Sequence, residues 1–163
     1  MKNKSTYIVV LNYNAYQDTI DCLDSISKLQ SNYKVVLVDN DSYNPSLDGI
    51  LSWISLNNYN NIKILESDKN RGYSAGNNLG IRYALSQNDC KYIWILNNDT
   101  VVRSDTLKEL ISSDNNSEFE TVWGSKVLYP NGKIQSIGCT MNYKYMLSSH
   151  NYNNEIDVTN NLS

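Results

Sequence analysis

The sequence predicts an α/β fold in which a mainly parallel, Rossmann-like sheet is flanked by helices. Short apolar runs rich in β-branched and aromatic residues alternate with stretches whose apolar residues recur at helical spacing, a pattern typical of βαβ units. Three of the runs, at residues 7–11, 33–38 and 92–96, stop abruptly at small polar residues. Open α/β sheets bind ligands at the carboxyl ends of their strands, so we expect a ligand site where these three strands end.

Length, charge and cysteine content limit the class of protein. The 163 residues suffice for one domain with a buried core. The 14 lysine and arginine residues nearly balance 17 aspartate and glutamate residues without forming a basic stripe, so we expect no nucleic-acid partner. Three widely separated cysteines indicate a reducing compartment. The apolar run near the N-terminus is too short for a signal peptide or a membrane span, and we therefore expect a cytoplasmic protein.

The first part of the chain predicts alternating strands and helices. After the strand at 7–11, Asn14 can cap a helix, with Gln17 as a partial capping box. That helix is expected to run to about residue 30, because apolar residues recur at helical spacing up to that point. The next predicted elements are a strand at 33–38, a short helix after Pro45 and a strand at 62–65.

The second part predicts fewer regular elements. They are a helix that ends at Leu85, a buried strand at 92–96, a helix around Leu107 capped by Ser104 or Asp105, and a hairpin of strands at 121–128 and 134–141. The turn of that hairpin contains Asn131-Gly132, which favours a tight reversal. Residues 147–163 are polar and lack hydrophobic periodicity, so we expect little regular structure there.

The end of the strand at 92–96 is the first candidate site. It is followed by Asn97, Asn98 and Asp99, and a carboxylate flanked by amides can hold a divalent cation and, through it, an anionic ligand such as a diphosphate. The alternative is an Asx-turn, which on its own is the commoner explanation. Asp39 ends the second strand, and it either caps the next turn or accepts hydrogen bonds from a base or ribose.

A glycine-rich segment is the second candidate site. Gly72, Gly76 and Gly80 recur at intervals of four, although each glycine inside a helix costs roughly 1 kcal/mol relative to alanine. Close packing on the sheet explains Gly80, whereas for Gly72 and Gly76 packing and the approach of a ligand remain equal alternatives. Arg71 stands at the start of this helix, where anions bind. We expect the strand ends and the Arg71 loop to converge on one pocket rimmed by Asp39 and Asp99.

The motifs VLNYN, VDNDS, NRGYSAGNNLGI and YIWILNNDT occur in this order. They resemble the successive signatures of family 2 inverting glycosyltransferases, which have the GT-A fold, and in particular the rhamnosyltransferase-like members that build bacterial surface polysaccharides. The resemblance extends over roughly residues 7–137. It implies a GT-A nucleotide-sugar-binding domain over residues 1–146, incomplete at the C-terminus, followed by a polar irregular segment over residues 147–163.

The resemblance implies roles for individual residues. Asn12 and Tyr13 would line the base pocket, Asp39 would bond the base, Arg71 would contact the nucleotide, and Gly72 and Asn78 would lie beside the donor. Asn97, Asn98 and Asp99 would replace the family's Asp-x-Asp motif, with Asp99 bound to Mg²⁺ or Mn²⁺. Because Asn97 replaces the first aspartate of that motif, metal binding would be weaker or depend on Asp99 alone.

The same resemblance implies the reaction. A sugar would pass from a UDP- or dTDP-sugar to a glycan or lipid-linked acceptor with inversion, the acceptor hydroxyl being deprotonated by a general base. The family's acidic pair is absent after Asp99, so the base is expected beyond residue 163 and this chain is expected to be the donor-binding part. Peripheral membrane association of the full-length enzyme and a homodimer are further expectations. The alternatives are a non-catalytic nucleotide-binding module on the same fold and a nucleotidyltransferase.

Overall fold

A computed structural model of the chain describes residues 4–43, 45–114, 122–137, 139–142, 147–150 and 153–157, with backbone alone for 139–142 and 147–150. The chain divides into two compact units, Met1–Glu109 and Leu110–Ser163. A donor-binding domain that ends at residue 146 stays a prediction.

The first unit contains a four-stranded parallel sheet. Its strands are β1 (Ser5–Asn12), β2 (Tyr33–Asp39), β3 (Ile62–Glu66) and β4 (Cys90–Asn97). Their order is β3-β2-β1-β4, and every neighbouring pair is parallel. The predicted mainly parallel α/β sheet is therefore confirmed. Since β1 and β2 are the central strands, their apolar runs are almost completely buried.

Four helices accompany the strands. They are α1 (Tyr16–Ser27), α2 (Ser46–Leu56), α3 (Tyr73–Leu85) and α4 (Thr106–Asp114). The predicted cap at Asn14 is wrong, because α1 has Ala15 at its N-cap without a side-chain hydrogen bond. Asn14 instead has a left-handed backbone with a φ of 54°, and its Oδ1 accepts a hydrogen bond from the Tyr43 backbone N–H at 2.7 Å. Its side chain thus connects the loops after β1 and β2.

Glycines allow α3 to lie unusually close to the sheet. A Cβ atom at Gly76 would lie 2.4 Å from Leu11 Cδ1, and one at Gly80 would lie 2.5 Å from Val9 Cγ1. Close packing therefore explains both positions, and the approach of a ligand is not needed for Gly76. Gly72 differs, because it has a φ of 85° and open space around the position of a Cβ.

The burial predicted for the strand at 92–96 is wrong. Only Leu96 of β4 is buried, and Ile95 is 47% exposed. The physical reason is position in the sheet, because β4 is an edge strand that pairs with β1 alone among the described strands. An apolar run of this length reports strand propensity but not whether a second neighbour covers it.

The second unit contains two short hairpins. In the first, β5 (Val127–Leu128) pairs with β6 (Ile134–Ser136), and Gly132 in the intervening turn has a φ of 80°. The predicted hairpin is confirmed, but 122–126 form no strand and residue 121 lies outside the described residues. Val122 is 98% exposed, so burial of its side chain does not stabilise an extended backbone there.

The second hairpin was not predicted. β7 (Cys139–Asn142) pairs antiparallel with β8 (Leu147–His150), so the single return strand expected at 134–141 is split into β6 and β7. The expectation of little regular structure after residue 147 is wrong for β8. Lys133 also forms an antiparallel bridge with Ile156. Among the described residues, no helix combines the length and the apolarity needed to cross a bilayer.

Candidate functional site

The carboxyl ends of β1, β2 and β4 meet at the same edge of the sheet. Asn12 is level with Asp39, and Leu11 is level with Asn97. Since β1 lies between the other two strands, the ends of β2 and β4 are two interstrand spacings apart, about 10 Å. The expectation that Asp39 and the turn carrying Asp99 lie at the same edge is confirmed, whereas Asp39 is buried and does not rim the pocket with Asp99.

A cavity of about 350 Å³ opens at the end of β4, and we call it the Asp99 cavity. Its lining combines the end of β1, the residue after β2, the start of α3 and the turn after β4. The lining residues are Leu11, Tyr13, Asn40, Asn70, Gly72, Tyr73, Asn97, Asn98 and Asp99. The structure therefore brings five of the predicted site residues together, namely Tyr13, Gly72, Asn97, Asn98 and Asp99.

A second cavity, of about 500 Å³, holds two other predicted site residues, and we call it the Arg71 cavity. Its lining includes Arg71, Asn78, Asp68 and Arg82. Arg71 Nη2 donates to both carboxylate oxygens of Asp68, at 3.0 and 2.9 Å. Arg71 and Asn78 line this second cavity, whereas Asn70 and Gly72 line the Asp99 cavity, and the contact of Arg71 and Asn78 with a nucleotide stays a prediction.

Asp99 is the predicted metal ligand. Its carboxylate is exposed in the Asp99 cavity and has no hydrogen-bond or ion-pair partner among the residues that the structure describes. No group of three acidic, histidine or cysteine side chains that could enclose a metal occurs in that same part of the chain. Mg²⁺ and Mn²⁺ bind through oxygen ligands, and Mg²⁺ commonly uses one or two carboxylates together with phosphates of a substrate. A single carboxylate, that of Asp99, therefore fits a cation whose other ligands come from a bound anion.

The amides before Asp99 are held by other elements. Asn97 Oδ1 accepts a hydrogen bond from the Tyr73 hydroxyl at 2.7 Å. Asn98 Nδ2 donates to Thr19 Oγ1 at 2.9 Å. The turn is thus connected to the first turn of α3 on one side and to α1 on the other.

Asp39 and Asn12 lie beneath the surface of this edge. Asp39 is only 4% exposed, and its oxygens accept hydrogen bonds from Asn12 Nδ2 at 2.7 Å and from the Ser42 backbone N–H at 2.9 Å. Asn12 is fully buried, and its Oδ1 accepts from Thr19 Oγ1 at 2.9 Å. A buried carboxylate needs such donors. Within the structure, both residues organise the loop after β2, and direct contact with a base stays a prediction.

The N-terminus of α3 adds positive potential to the Asp99 cavity. Gly72 is the N-cap residue, and the first intrahelical bond runs from the Gly76 N–H to the Gly72 carbonyl. The N–H groups before Gly76 therefore have no intrahelical acceptor, and the helix dipole favours an anion in front of them. A cation at Asp99 and this helix start together suit a strongly anionic ligand.

Cys22 lies behind the same turn and was not predicted. Its Sγ donates to the Asn97 backbone carbonyl at 3.7 Å. Burial, with a smaller contribution from the negative charge of Asp99, raises the pKa of this thiol to about 12. The protonated thiol therefore packs against the turn. Thr19, Asn40 and Tyr73 were also missed; of these, Tyr73 alone has a sequence signal, its place directly after Gly72.

Known proteins are similar to this chain in sequence. Residues 7–157 match the family model described as glycosyl transferase family 2. The low-salt glycan biosynthesis hexosyltransferase Agl10 of Haloferax volcanii is 28% identical over 115 residues, which are 71% of this chain and 34% of that protein.

Solved structures are similar to this chain in fold. The mannosyltransferase PcManGT from Pyrobaculum calidifontis, in complex with GDP-Man and Mn²⁺, has a TM-score of 0.60 at 18% identity over 71% of this chain and 34% of its own. TarS 1-349 from S. aureus, in complex with UDP-GlcNAc, has a TM-score of 0.58 at 19% identity over 68% of this chain and 31% of its own. This chain thus spans about a third of the length of the proteins that it matches.

Proposed function

This chain belongs to glycosyl transferase family 2, and from that premise we propose that it is the donor-binding part of an inverting glycosyltransferase. The observation that carries the proposal is the Asp99 carboxylate, which is free of partners among the described residues and faces a cavity shared with the start of α3. The ligand is a nucleoside diphosphate sugar with a uridine or thymidine base. Solved structures of the same fold contain GDP-Man and UDP-GlcNAc, which supports a nucleoside diphosphate sugar as the class of donor.

The proposed donor lies along the edge from β4 to β2. Its diphosphate occupies the Asp99 cavity, where the N-terminus of α3 attracts the anion and Asp99 would hold Mg²⁺ or Mn²⁺. Its base extends toward the end of β2, where Tyr13 offers a 42% exposed ring and Asn40 lines the cavity.

The chemistry of transfer follows from this placement. When bound, the cation offsets the charge that grows on the leaving nucleoside diphosphate. The residues of this chain bind and orient the donor, and Tyr73 holds Asn97 so that the Asp99 turn keeps its position. The acceptor hydroxyl attacks the anomeric carbon from the face opposite the diphosphate and loses its proton to a general base, which is predicted to lie beyond residue 163. A polysaccharide or lipid-linked acceptor, membrane association and dimerisation stay predictions.

Titration with UDP tests the proposal. We expect Mn²⁺ to strengthen the binding of UDP measured by calorimetry, and Asp99→Ala to remove this dependence on the metal. Asp24→Ala is the matched control, because it also removes one exposed carboxylate, there paired only with Lys28. Binding of UDP that is indifferent to Mn²⁺, or equally affected by both substitutions, would contradict the proposal.

A second candidate is a non-catalytic nucleotide-binding module. It is favoured by one observation, because Asp99 is the sole acidic residue that lines the Asp99 cavity within the described part of the chain. Assaying the chain with a UDP-sugar and a lipid-linked acceptor separates the two functions. We expect little or no turnover from this chain alone, whereas turnover at rates typical of glycosyltransferases would exclude the module.

A further inference from the structure

A buried hydroxyl joins the two ends of the site. Thr19, in the first turn of α1, is fully buried. Its Oγ1 accepts a hydrogen bond from Asn98 Nδ2 at 2.9 Å, and its single proton has two acceptors within reach, Asn12 Oδ1 and the Ala15 carbonyl, each at 2.9 Å. A hydroxyl has one proton and two lone pairs, so this arrangement uses the hydroxyl as both acceptor and donor.

The connection continues to the second strand. Asn12 Nδ2 donates to Asp39 Oδ1 at 2.7 Å, and Asp39 Oδ2 accepts from the Ser42 backbone N–H. A continuous chain of side-chain hydrogen bonds therefore runs from the turn after β4, through α1 and β1, to the loop after β2. Its first member, Asn98, directly precedes Asp99 in the sequence.

We propose that Thr19 is a positioning residue that fixes the Asp99 turn relative to Asp39, so that the metal end and the base end of a nucleotide are held in register. The inference rests on the proposed function and deepens it by adding a residue that touches neither metal nor nucleotide.

Metal binding that depends on the Asp99 carboxylate alone would be sensitive to a small displacement of the Asp99 turn. Since Asp99 is the one acidic residue that lines its cavity in the described part of the chain, a displaced turn has no second carboxylate there to keep the cation near the diphosphate. Hydrogen bonds between buried polar groups fix direction as well as distance. Loss of the Thr19 hydroxyl would leave the Asn98 amide without this acceptor, and the turn would keep the longer Cys22 Sγ–Asn97 carbonyl contact to α1 but lose the shorter hydrogen bond.

Thr19→Val tests the proposal, because valine keeps the shape and removes the hydroxyl. We expect the Mn²⁺-dependent part of UDP binding to weaken about fivefold, the factor that corresponds to one hydrogen bond, while binding without metal stays unchanged. Thr6→Val is the matched control. Thr6 is also buried in the first unit, but its Oγ1 has no hydrogen-bond partner among the described residues, so UDP binding is expected to equal that of the unmodified chain.

Two further variants separate positioning from folding. Thr19→Ser retains the hydroxyl and is expected to bind UDP as the unmodified chain does, with or without Mn²⁺, even if Thr19→Val fails to fold. Asn98→Ala combined with Thr19→Val should lose less affinity than the sum of the two single losses, because both changes remove the Asn98–Thr19 hydrogen bond.

The results distinguish the two claims. Three results would each overturn the role of Thr19 and leave the proposed function standing. They are unchanged Mn²⁺-dependent UDP binding in Thr19→Val, UDP binding by Thr19→Ser as weak as that by Thr19→Val, and additive losses of UDP affinity in the double variant. An unmodified chain whose UDP binding ignores Mn²⁺ would overturn both.

Discussion

The contact of α3 with the sheet makes Gly80→Ala the most informative test of the fold. The added methyl would lie 2.5 Å from Val9 Cγ1 and 3.1 Å from Val38 Cγ2, and both valines are completely buried. Carbon atoms in contact are normally about 3.5–4.0 Å apart. The helix must therefore move away by about 1 Å, or Val9 must leave its preferred rotamer.

The expected magnitude follows from two opposing effects. Overpacking of this kind costs about 1–3 kcal/mol, whereas alanine gains about 1 kcal/mol over glycine in a helix. The net expectation is a free energy of unfolding lower by about 1 kcal/mol. Because the first turn of α3 carries Gly72 and Tyr73 into the Asp99 cavity, UDP affinity should fall as well.

Urea unfolding followed by circular dichroism measures the change, with Gly49→Ala as the matched control. A Cβ at Gly49 would lie 3.1 Å from the ring of Tyr16, which is 43% exposed and can rotate toward solvent. We therefore expect Gly49→Ala to leave stability unchanged or to raise it by up to about 1 kcal/mol. If Gly80→Ala proved as stable as Gly49→Ala, the close packing of α3 would be refuted.

Two further predictions concern a hydrogen-bond network and a hydroxyl. Lys34 Nζ lies 2.6 Å from Asp89 Oδ2, and its hydrogen bond lowers the pKa of that carboxyl. The stabilisation of the folded state by this pair is therefore fully present above the unfolded-state pKa, near 3.9. It is lost as the pH falls through the lower pKa of the folded state. Asp89→Asn should flatten the acid side of a plot of urea midpoint against pH, and an unchanged acid side would contradict this. Tyr73→Phe removes the hydrogen bond to Asn97 and should weaken Mn²⁺-dependent UDP binding about two- to fivefold without changing the melting temperature. Tyr43→Phe, which alters a 74% exposed ring, should have no effect, and equal effects of both changes would argue against the role of Tyr73.

Local patterns predicted the sheet and placed the candidate site at one edge of it. The apolar runs of β1, β2 and β4 each end at small polar residues, and the parallel arrangement then places Asp39 and Asp99 at one edge without further information. The hairpin at Gly132 was predicted because a left-handed turn has a sequence signature. These features depend on neighbouring residues, which a sequence shows directly.

Features set by distant contacts were not predicted. The exposure of β4 depends on its place in the strand order. Thr19 has partners 7 and 79 residues away, so no local motif marks it. The β7–β8 hairpin was missed because its second strand lies in a polar segment without hydrophobic alternation.

Mn²⁺-induced broadening of amide NMR signals in the presence of UDP tests the central claim most directly. We expect broadening centred on residues 97–100 and on the first turn of α3. Lys34 and Asp89, at the opposite end of strands about 25 Å long, should be affected least, and Asp99→Ala should abolish the pattern. Broadening centred on the Arg71 cavity, or broadening that survives Asp99→Ala, would contradict a metal-assisted donor site at the end of β4.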